Sequence, residues 1–113
     1  DTSMLTAIGN DYGFEKIFSR QVQAQGQKGD IFIGISTSGN SQNIITAIKE
    51  AKDLGIISIA LCGEGGVLSS IADYALEVPS KSTPHIQECH IVIGHIICGL
   101  VEELIFPNEK PDV

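Results

Sequence analysis

Three short apolar runs rich in β-branched residues divide the chain and predict three β-strands. They lie at Ile31–Ser36, Ile56–Cys62 and Tyr74–Val78. The first two runs are continuously apolar rather than alternating, which is typical of strands covered on both faces of a sheet. The hydrophobic pattern therefore predicts a sheet that is buried between two layers of other structure.

The segments around these runs carry apolar residues at helical spacing. The clearest covers Ser41–Leu54 and is followed by Gly55, where a glycine commonly terminates a helix. Further helices are predicted at Tyr12–Ala24, at Leu68–Ala72 and at Pro84–Ile105. The last is apolar around most of its circumference, so we expect it to be buried on more than one side, in a core or a subunit interface.

A strand, a helix and a parallel strand joined by short connections form a βαβ unit, which is right-handed in almost all proteins. The predicted fold class is therefore α/β with a mainly parallel sheet. Three strands are few for a sheet covered on both faces, and the chain opens at Asp1. We therefore expect residues 1–106 to be the C-terminal portion of a domain. Residues 107–113, which include two prolines, are expected to form a tail.

Composition and charge limit the classes of function. Of the 113 residues, 42% are hydrophobic, which is enough for a globular core. The net charge of −7 argues against a nucleic-acid partner, since such binding depends on clustered cations. No apolar run is long enough to span a membrane. The three cysteines form no paired motif, so we expect them to be buried as small hydrophobes and the protein to be cytoplasmic.

The most informative segment follows the first predicted strand. Residues 36–41, which we call the serine loop, are Ser-Thr-Ser-Gly-Asn-Ser and lead into the next helix. Open α/β sheets bind ligands at this end of their strands, where the helix N-terminus attracts anions. Four hydroxyls and a glycine favour a phosphate site over the alternative of one capping serine in a polar turn. The loop has no lysine, so a sugar phosphate fits better than a nucleoside triphosphate.

Three motifs together resemble the sugar-isomerase (SIS) domain family and, within it, the phosphoheptose isomerases. They are AIGNDYGF at 7–14, STSGNS at 36–41 and IQECHIVIGH at 86–95. The serine loop alone is typical of the whole SIS family, whereas the combination is specific to this branch. The resemblance covers nearly the whole chain. It implies a three-layer α/β/α sandwich of the flavodoxin-like type, present here in part.

The resemblance also implies roles for individual residues. It places the substrate phosphate on the serine loop, sugar contacts near the chain start, and zinc binding with proton transfer on the last helix. The implied substrate-binding residues are Asn10, Asp11, Ser36, Thr37, Ser38, Ser41 and Gln87. The implied metal ligands are Gln87 and His95, and His95 is also the implied catalytic residue. From the residues alone, Asn10 and Asp11 are more typical of a turn or a helix cap.

Gln87 and His95 lie eight residues apart, which is about 80° of rotation and roughly 12 Å of rise along a helix. One ion joins both only if the side chains converge or come from different subunits. A lone histidine on an apolar helix is more often a core residue, and the resemblance reverses that preference for His95 but not for His90. The family's glutamate base and further histidine ligand would lie upstream of Asp1, so we expect this chain alone to be inactive.

The resemblance implies an isomerase that interconverts sedoheptulose 7-phosphate and D-glycero-D-manno-heptose 7-phosphate through an enediol(ate). Its product would supply heptose for cell-envelope polysaccharide. One zinc ion per active site is a further expectation, as is a homotetramer with its active sites between subunits. The alternative is a non-catalytic SIS domain that binds a sugar phosphate or a replication initiator. The presence of both Gln87 and His95 favours the enzyme.

Overall fold

Helices and strands follow one another in the predicted order, with one added helix at the start. The computed structural model describes residues 1–107. Its elements are α1 (Thr2–Tyr12), a 3₁₀ turn (Phe14–Lys16), α2 (Ser19–Gln25), β1 (Ile31–Ser36), α3 (Gln42–Asp53), β2 (Ile57–Gly63), α4 (Leu68–Ile71), β3 (Tyr74–Val78) and α5 (Thr83–Ile105). Apart from Pro107, the predicted tail lies outside the described residues.

The three strands form one parallel sheet with β2 in the centre and β1 and β3 on either side. Gly34 pairs with Ala60, and Leu61 pairs with Leu76. Because the strands run in the same direction, their carboxyl ends meet at one end of the sheet. The predicted parallel α/β fold is confirmed, and each predicted strand is found to within one residue at either end.

α3 packs on one face of the sheet and forms most of the core there. It crosses β1 at Gly34, where a Cβ would lie 2.7 Å from Ile44 Cγ2, so glycine allows the close approach. Burying each isoleucine or leucine contributes about 1.5–3 kcal/mol. The main cluster of buried side chains joins α3, β2 and α4, and its members are Ile44, Ile45, Ile48, Ala60, Cys62 and Leu68.

α5 begins on the opposite face, which gives three layers in the order α/β/α. Ile86 is 2% exposed, and its Cδ1 would lie 2.6 Å from a Cβ on Gly63 at the end of β2. Elsewhere this second face is open in residues 1–107, since Ile31 is 61% and Ile35 is 55% exposed. The prediction that β1 is covered on both faces is therefore wrong for the described chain, because α5 packs mainly on β2 and β3.

Most of α5 extends beyond the sheet with its apolar side chains exposed. The core alternative for this helix is therefore wrong for residues 1–107, whereas the interface alternative stays a prediction. No helix in the described part of the chain has both the length and the apolarity that crossing a membrane requires. The exposed apolar side chains of α5 are Ile91, Val92, Ile96, Leu100, Val101, Leu104 and Ile105.

The single helix predicted at Tyr12–Ala24 is wrong, because Gly13 interrupts it. Gly13 has φ 91° and ψ 155°, a backbone conformation that glycine adopts and a helix does not. α1 therefore ends before Gly13, and the 3₁₀ turn separates it from α2. No residue of α1 is fully buried, which explains why the apolar pattern did not predict this helix.

A polar contact joins the starts of β2 and β3. The Asp73 carboxylate accepts hydrogen bonds from the Ser58 backbone N–H and from Ser58 Oγ, both at 2.8 Å. The Asp73 N–H in turn donates to Ser58 Oγ at 3.0 Å. The backbone bond from Ser58, followed by the hydroxyl bond, lowers the pKa of Asp73 below its ordinary value because both stabilise the ionised carboxylate.

Candidate functional site

The serine loop connects the carboxyl end of β1 to the N-terminus of α3, as the sequence predicts. Gly39 has φ 63°, a left-handed conformation that favours glycine, and its N–H donates to Ser36 O at 3.0 Å. The first-turn N–H groups of a helix have no intrahelical acceptor. α3 has no acidic side chain in its first turn, but the Ile44 N–H already donates to Asn43 Oδ1 at 2.9 Å, which leaves the N–H groups of Gln42 and Asn43 for an anion.

The hydroxyls of three serines converge inside this loop. Ser36 Oγ lies 2.7 Å from Ser41 Oγ and 3.4 Å from Ser38 Oγ. Ser41 occupies the N-cap position of α3, yet its side chain makes no capping hydrogen bond to the helix. The Ser41 side chain therefore does not cap α3. Its hydroxyl instead belongs to a polar cluster whose inner end is the buried Ser36.

This hydroxyl cluster can bind an anion without any charged side chain. Hydroxyl groups rotate to donate to an oxygen acceptor, and the N-terminus of α3 carries roughly half a positive charge. Backbone N–H groups with this orientation bind phosphate in many α/β proteins. The loop itself contains no Lys, Arg, Asp or Glu. The arrangement therefore fits one phosphate group attached to an uncharged molecule.

A second loop packs against the serine loop from the end of β2. We call it the glycine loop, residues 63–67. Thr37 is half-buried, and its carbonyl oxygen accepts a hydrogen bond from the Gly63 N–H at 3.0 Å. Asn40 Oδ1 accepts from the Val67 N–H at 3.1 Å. The sequence reasoning missed Asn40; the only sequence signal for this contact is the pair of adjacent glycines at 65 and 66.

Asn10 and Asp11 lie exposed in the last turn of α1, and Asn10 Nδ2 donates to Asp11 Oδ1 at 2.8 Å. Neither side chain bonds to the serine loop within residues 1–107, so their contact with a sugar stays a prediction. The 3₁₀ turn that follows α1 lies next to the serine loop, because both segments line the same cleft of about 450 Å³. That cleft is lined by Phe14, Glu15, Ser41, Gln42 and Asn43.

Gln87 and His95 are both exposed on α5. Eight residues of helix separate them by roughly 12 Å along the axis. Across the described residues, no group of three His, Cys, Asp or Glu side chains is placed to hold a metal ion. A catalytic zinc site normally has three protein ligands. Gln87 and His95 alone therefore do not fit a zinc site.

Comparison with known proteins decides the family. A sequence model of the SIS domain matches residues 1–63, more than half of the chain. The chain belongs to the SIS-domain family. Phosphoheptose isomerase of Aneurinibacillus thermoaerophilus and phosphoheptose isomerase 2 of Campylobacter jejuni are each 64% identical to it, over 96% and 94% of the chain.

Solved structures agree with this assignment of the SIS domain. Phosphoheptose isomerases from Neisseria gonorrhoeae and Francisella tularensis match with TM-scores of 0.87 and 0.88, at 50% and 44% identity, over 89% and 91% of the chain. The chain spans 56% and 53% of the two curated relatives and 58% of each solved chain. It therefore covers about half the length of its relatives. The resemblance and the α/β/α fold predicted from the motifs are confirmed.

Other reactive side chains of this SIS domain include one buried histidine and three cysteines. His90 is 6% exposed, and its Nε2 has no hydrogen-bond partner in the part of the chain described. Burial, followed by the charge of Glu77, raises the pKa of the buried Cys62 thiol. Cys89 and Cys98 are exposed. The prediction that all cysteines are buried is wrong for these two, because α5 is largely uncovered in residues 1–107.

Proposed function

We propose that the protein containing this SIS domain is a phosphoheptose isomerase, which interconverts sedoheptulose 7-phosphate and D-glycero-D-manno-heptose 7-phosphate. One observation carries the proposal: Ser41 Oγ does not cap its own helix and instead lies 2.7 Å from Ser36 Oγ, at the N-terminus of α3. Such a cluster suits a single phosphate group. The names of the relatives supply the class of sugar, and the product would feed cell-envelope polysaccharide synthesis.

The serine loop holds the substrate by its phosphate, at the opposite end of the sugar from the reacting carbons. Ser36, Thr37, Ser38 and Ser41 are the residues proposed to contact it. Binding this remote group orients the carbonyl end of the sugar, so that part of the entropic barrier is overcome before any proton moves. Asn10, Asp11 and Gln87 are proposed to contact the sugar hydroxyls, which need both donors and acceptors.

The reaction moves two protons and adds or removes no atom. In the ketose-to-aldose direction a base removes a proton from C1, and an enediolate forms across C1 and C2. C2 then receives a proton, while the hydroxyl proton on O1 is transferred to O2. His95 is proposed to carry one of these transfers, since histidine side chains exchange protons near neutral pH.

The proposal includes a zinc ion only if residues outside 1–107 supply further ligands. Gln87 and His95 supply two candidate donors, and a catalytic site needs about three. We therefore propose that both residues bind the ion together with side chains beyond residues 1–107. Metal content of the full-length protein, compared with that of Gln87→Ala and His95→Ala, tests this without an activity assay. Unchanged zinc content in both variants would contradict it.

The apolar surface of α5 supports a further proposal about assembly. Leu104 is 80% exposed in the described chain, and six other large apolar residues of α5 are also exposed. A surface of this kind is usually covered in the working protein. We propose a homotetramer in which α5 lies at a subunit interface and the active sites lie between subunits. We propose a cytoplasmic location because the three cysteines form no paired motif.

The test of function is turnover of sedoheptulose 7-phosphate by the full-length protein with added zinc. We expect the aldose product to form, and we expect Ser38→Ala to weaken substrate binding more than it slows turnover at saturation. Tight binding without turnover would replace the proposal with the alternative of a sugar-phosphate-binding protein. Absence of both binding and turnover would leave partner binding, such as to a replication initiator, as the alternative.

A further inference from the structure

Asn40 connects the serine loop to the glycine loop with both ends of its side-chain amide. Its Nδ2 donates to Ser38 O at 3.0 Å, within the serine loop. Its Oδ1 accepts from the Val67 N–H at 3.1 Å, across a sequence separation of 27 residues. The Asn40 backbone N–H is also occupied, since it donates to Ser38 Oγ at 3.2 Å. One exposed side chain thus links the ends of two neighbouring strands.

The backbones of the two loops touch at a pair of glycines. A Cβ on Gly66 would lie 2.4 Å from Gly39 Cα and 2.6 Å from Ser38 O, closer than real atoms come. The Leu68 N–H donates to Gly39 O at 3.0 Å just beyond this contact. The hydrogen bond from the Val67 N–H to Asn40 therefore lies next to a backbone contact that leaves no room for a side chain at Gly66.

These contacts determine which groups of the serine loop remain available to a ligand. The carbonyl oxygens of Thr37, Ser38 and Gly39 each accept a hydrogen bond, from Gly63 N–H, Asn40 Nδ2 and Leu68 N–H. A free carbonyl oxygen facing a phosphate would repel it. In a trans peptide the following N–H points opposite the carbonyl, so the Ser38 N–H points away from the glycine loop.

We propose that Asn40 is a positioning residue for phosphate binding. It holds the serine loop in the conformation that turns its carbonyl oxygens toward the glycine loop and leaves its hydroxyls and the Ser38 N–H to the anion. It does not itself bind the phosphate. This inference rests on the proposed function only in that the serine loop binds phosphate; it does not require the isomerase reaction.

The experiment compares the full-length protein with Asn40→Ala, Asn40→Asp and the control Glu64→Gln. Glu64 lies in the glycine loop, where its carboxylate is 4.0 Å from Lys81 Nζ. The readouts are the Kd of inorganic phosphate by calorimetry, KM and kcat for sedoheptulose 7-phosphate, and Tm. Asn40→Asp keeps the acceptor for Val67, but it loses the donor for Ser38 and adds a negative charge beside the proposed anion site.

We expect Asn40→Ala to weaken phosphate binding about tenfold, the combined effect of two hydrogen bonds. KM should rise by a similar factor, while kcat changes less than about threefold, because the reacting carbons are remote from the loop. Asn40→Asp should weaken phosphate binding at least as much, since it adds a negative charge. Glu64→Gln should leave the phosphate Kd within about twofold of the parent.

Other outcomes overturn the inference in ways that can be told apart. A fall in Tm for Asn40→Ala with unchanged phosphate Kd would reduce Asn40 to a structural contact. Equal weakening by Glu64→Gln would indicate a general disturbance of the glycine loop and would also overturn it. If the parent binds phosphate but does not isomerise the sugar, the proposed reaction fails, yet the phosphate Kd still decides the role of Asn40. A parent protein that binds no phosphate contradicts both the proposed function and the proposed role of Asn40.

Discussion

Ser36 Oγ and Ser41 Oγ lie 2.7 Å apart, although one ends a strand and the other begins a helix. The left-handed turn at Gly39, φ 63°, brings the two ends of the loop together. Ser41 consequently makes no side-chain bond to the first turn of α3. The Ile44 N–H instead donates to Asn43 Oδ1 at 2.9 Å, so the N–H groups of Gln42 and Asn43 are the ones left for an anion.

Replacing Ser41 by alanine separates a capping role from a binding role. Loss of a true serine cap costs about 1 kcal/mol, whereas here the hydroxyl contacts Ser36. We expect Ser41→Ala to weaken inorganic phosphate binding about tenfold and to change Tm by less than about 2 °C. Calorimetry and thermal unfolding of the full-length protein provide both numbers.

Ser70→Ala is the matched control for this experiment. Ser70 is an exposed serine whose Oγ donates to Val67 O at 2.7 Å, on α4 rather than in the serine loop. Its loss should leave phosphate binding unchanged. A Ser41→Ala variant with lowered Tm and normal phosphate affinity would restore the capping interpretation.

The His95 imidazole should matter for proton transfer and not for holding the phosphate. We expect His95→Asn to reduce kcat for sedoheptulose 7-phosphate by at least about a hundredfold, the usual size of a general acid–base contribution. The Kd of inorganic phosphate should stay the same. His85→Asn, which changes another exposed histidine of α5, should retain normal turnover. If both variants turn over normally, His95 is not the catalytic residue.

The contact between the two loops makes Gly66 intolerant of any side chain. A Cβ there would lie 2.4 Å from Gly39 Cα, and backbone cannot move aside cheaply. We expect Gly66→Ala to lower Tm by several degrees, as overpacking of about 1–3 kcal/mol does, and to weaken phosphate binding as well. Gly9→Ala is the control, because its Cβ would lie an ordinary 3.7 Å from Ile17 Cγ2. Equal Tm values for Gly66→Ala and the parent would refute the contact.

The Asp73 carboxylate should make stability depend on pH in the acid range. Hydrogen bonds from Ser58 lower its pKa in the folded state, so it stabilises the fold above the unfolded value near 3.9. That stabilisation is lost as pH falls through the folded pKa. We therefore expect Tm of the parent to fall more steeply below about pH 4 than Tm of Asp73→Asn.

Asp53→Asn serves as the comparison, because Asp53 is an exposed aspartate at the end of α3. Its Tm should follow the parent curve over the whole acid range. Parallel curves for the parent and Asp73→Asn would show instead that the Ser58 contact contributes nothing to acid sensitivity.

The apolar surface of α5 should hold subunits together. Leu100 and Leu104 lie one turn apart, and both are exposed in the described chain. We expect the full-length protein to be a tetramer by light scattering, and Leu100→Glu with Leu104→Glu to reduce it to smaller species, because buried carboxylates are costly. Glu102→Gln, on another side of the same helix, should remain tetrameric. A parent protein that is a uniform monomer would refute the proposed assembly.

Local patterns in the sequence were sufficient for much of the fold. The apolar run at Ile31–Ser36 matches β1 at both ends. Ser41 and Gly55 lie on either side of α3, as the local start and stop signals predicted. The prediction of one helix at Tyr12–Ala24 is wrong because Gly13 has a positive φ. A positive φ is one of several backbone conformations open to glycine. The pattern indicates that glycine has this freedom, but packing decides whether it is used.

The sequence by itself determined the parallel α/β arrangement and the position of the serine loop at a strand-to-helix junction, and it predicted an anion site without a charged side chain. These properties follow from residues within a few positions of one another. Only the tertiary structure decided that the Ser41 hydroxyl contacts Ser36 rather than its helix, that Asn40 bonds to Val67, and that Gln87 and His95 do not gather a third ligand within residues 1–107. Those outcomes depend on contacts between segments that are distant along the chain, and such contacts form only when the sheet brings its strand ends together.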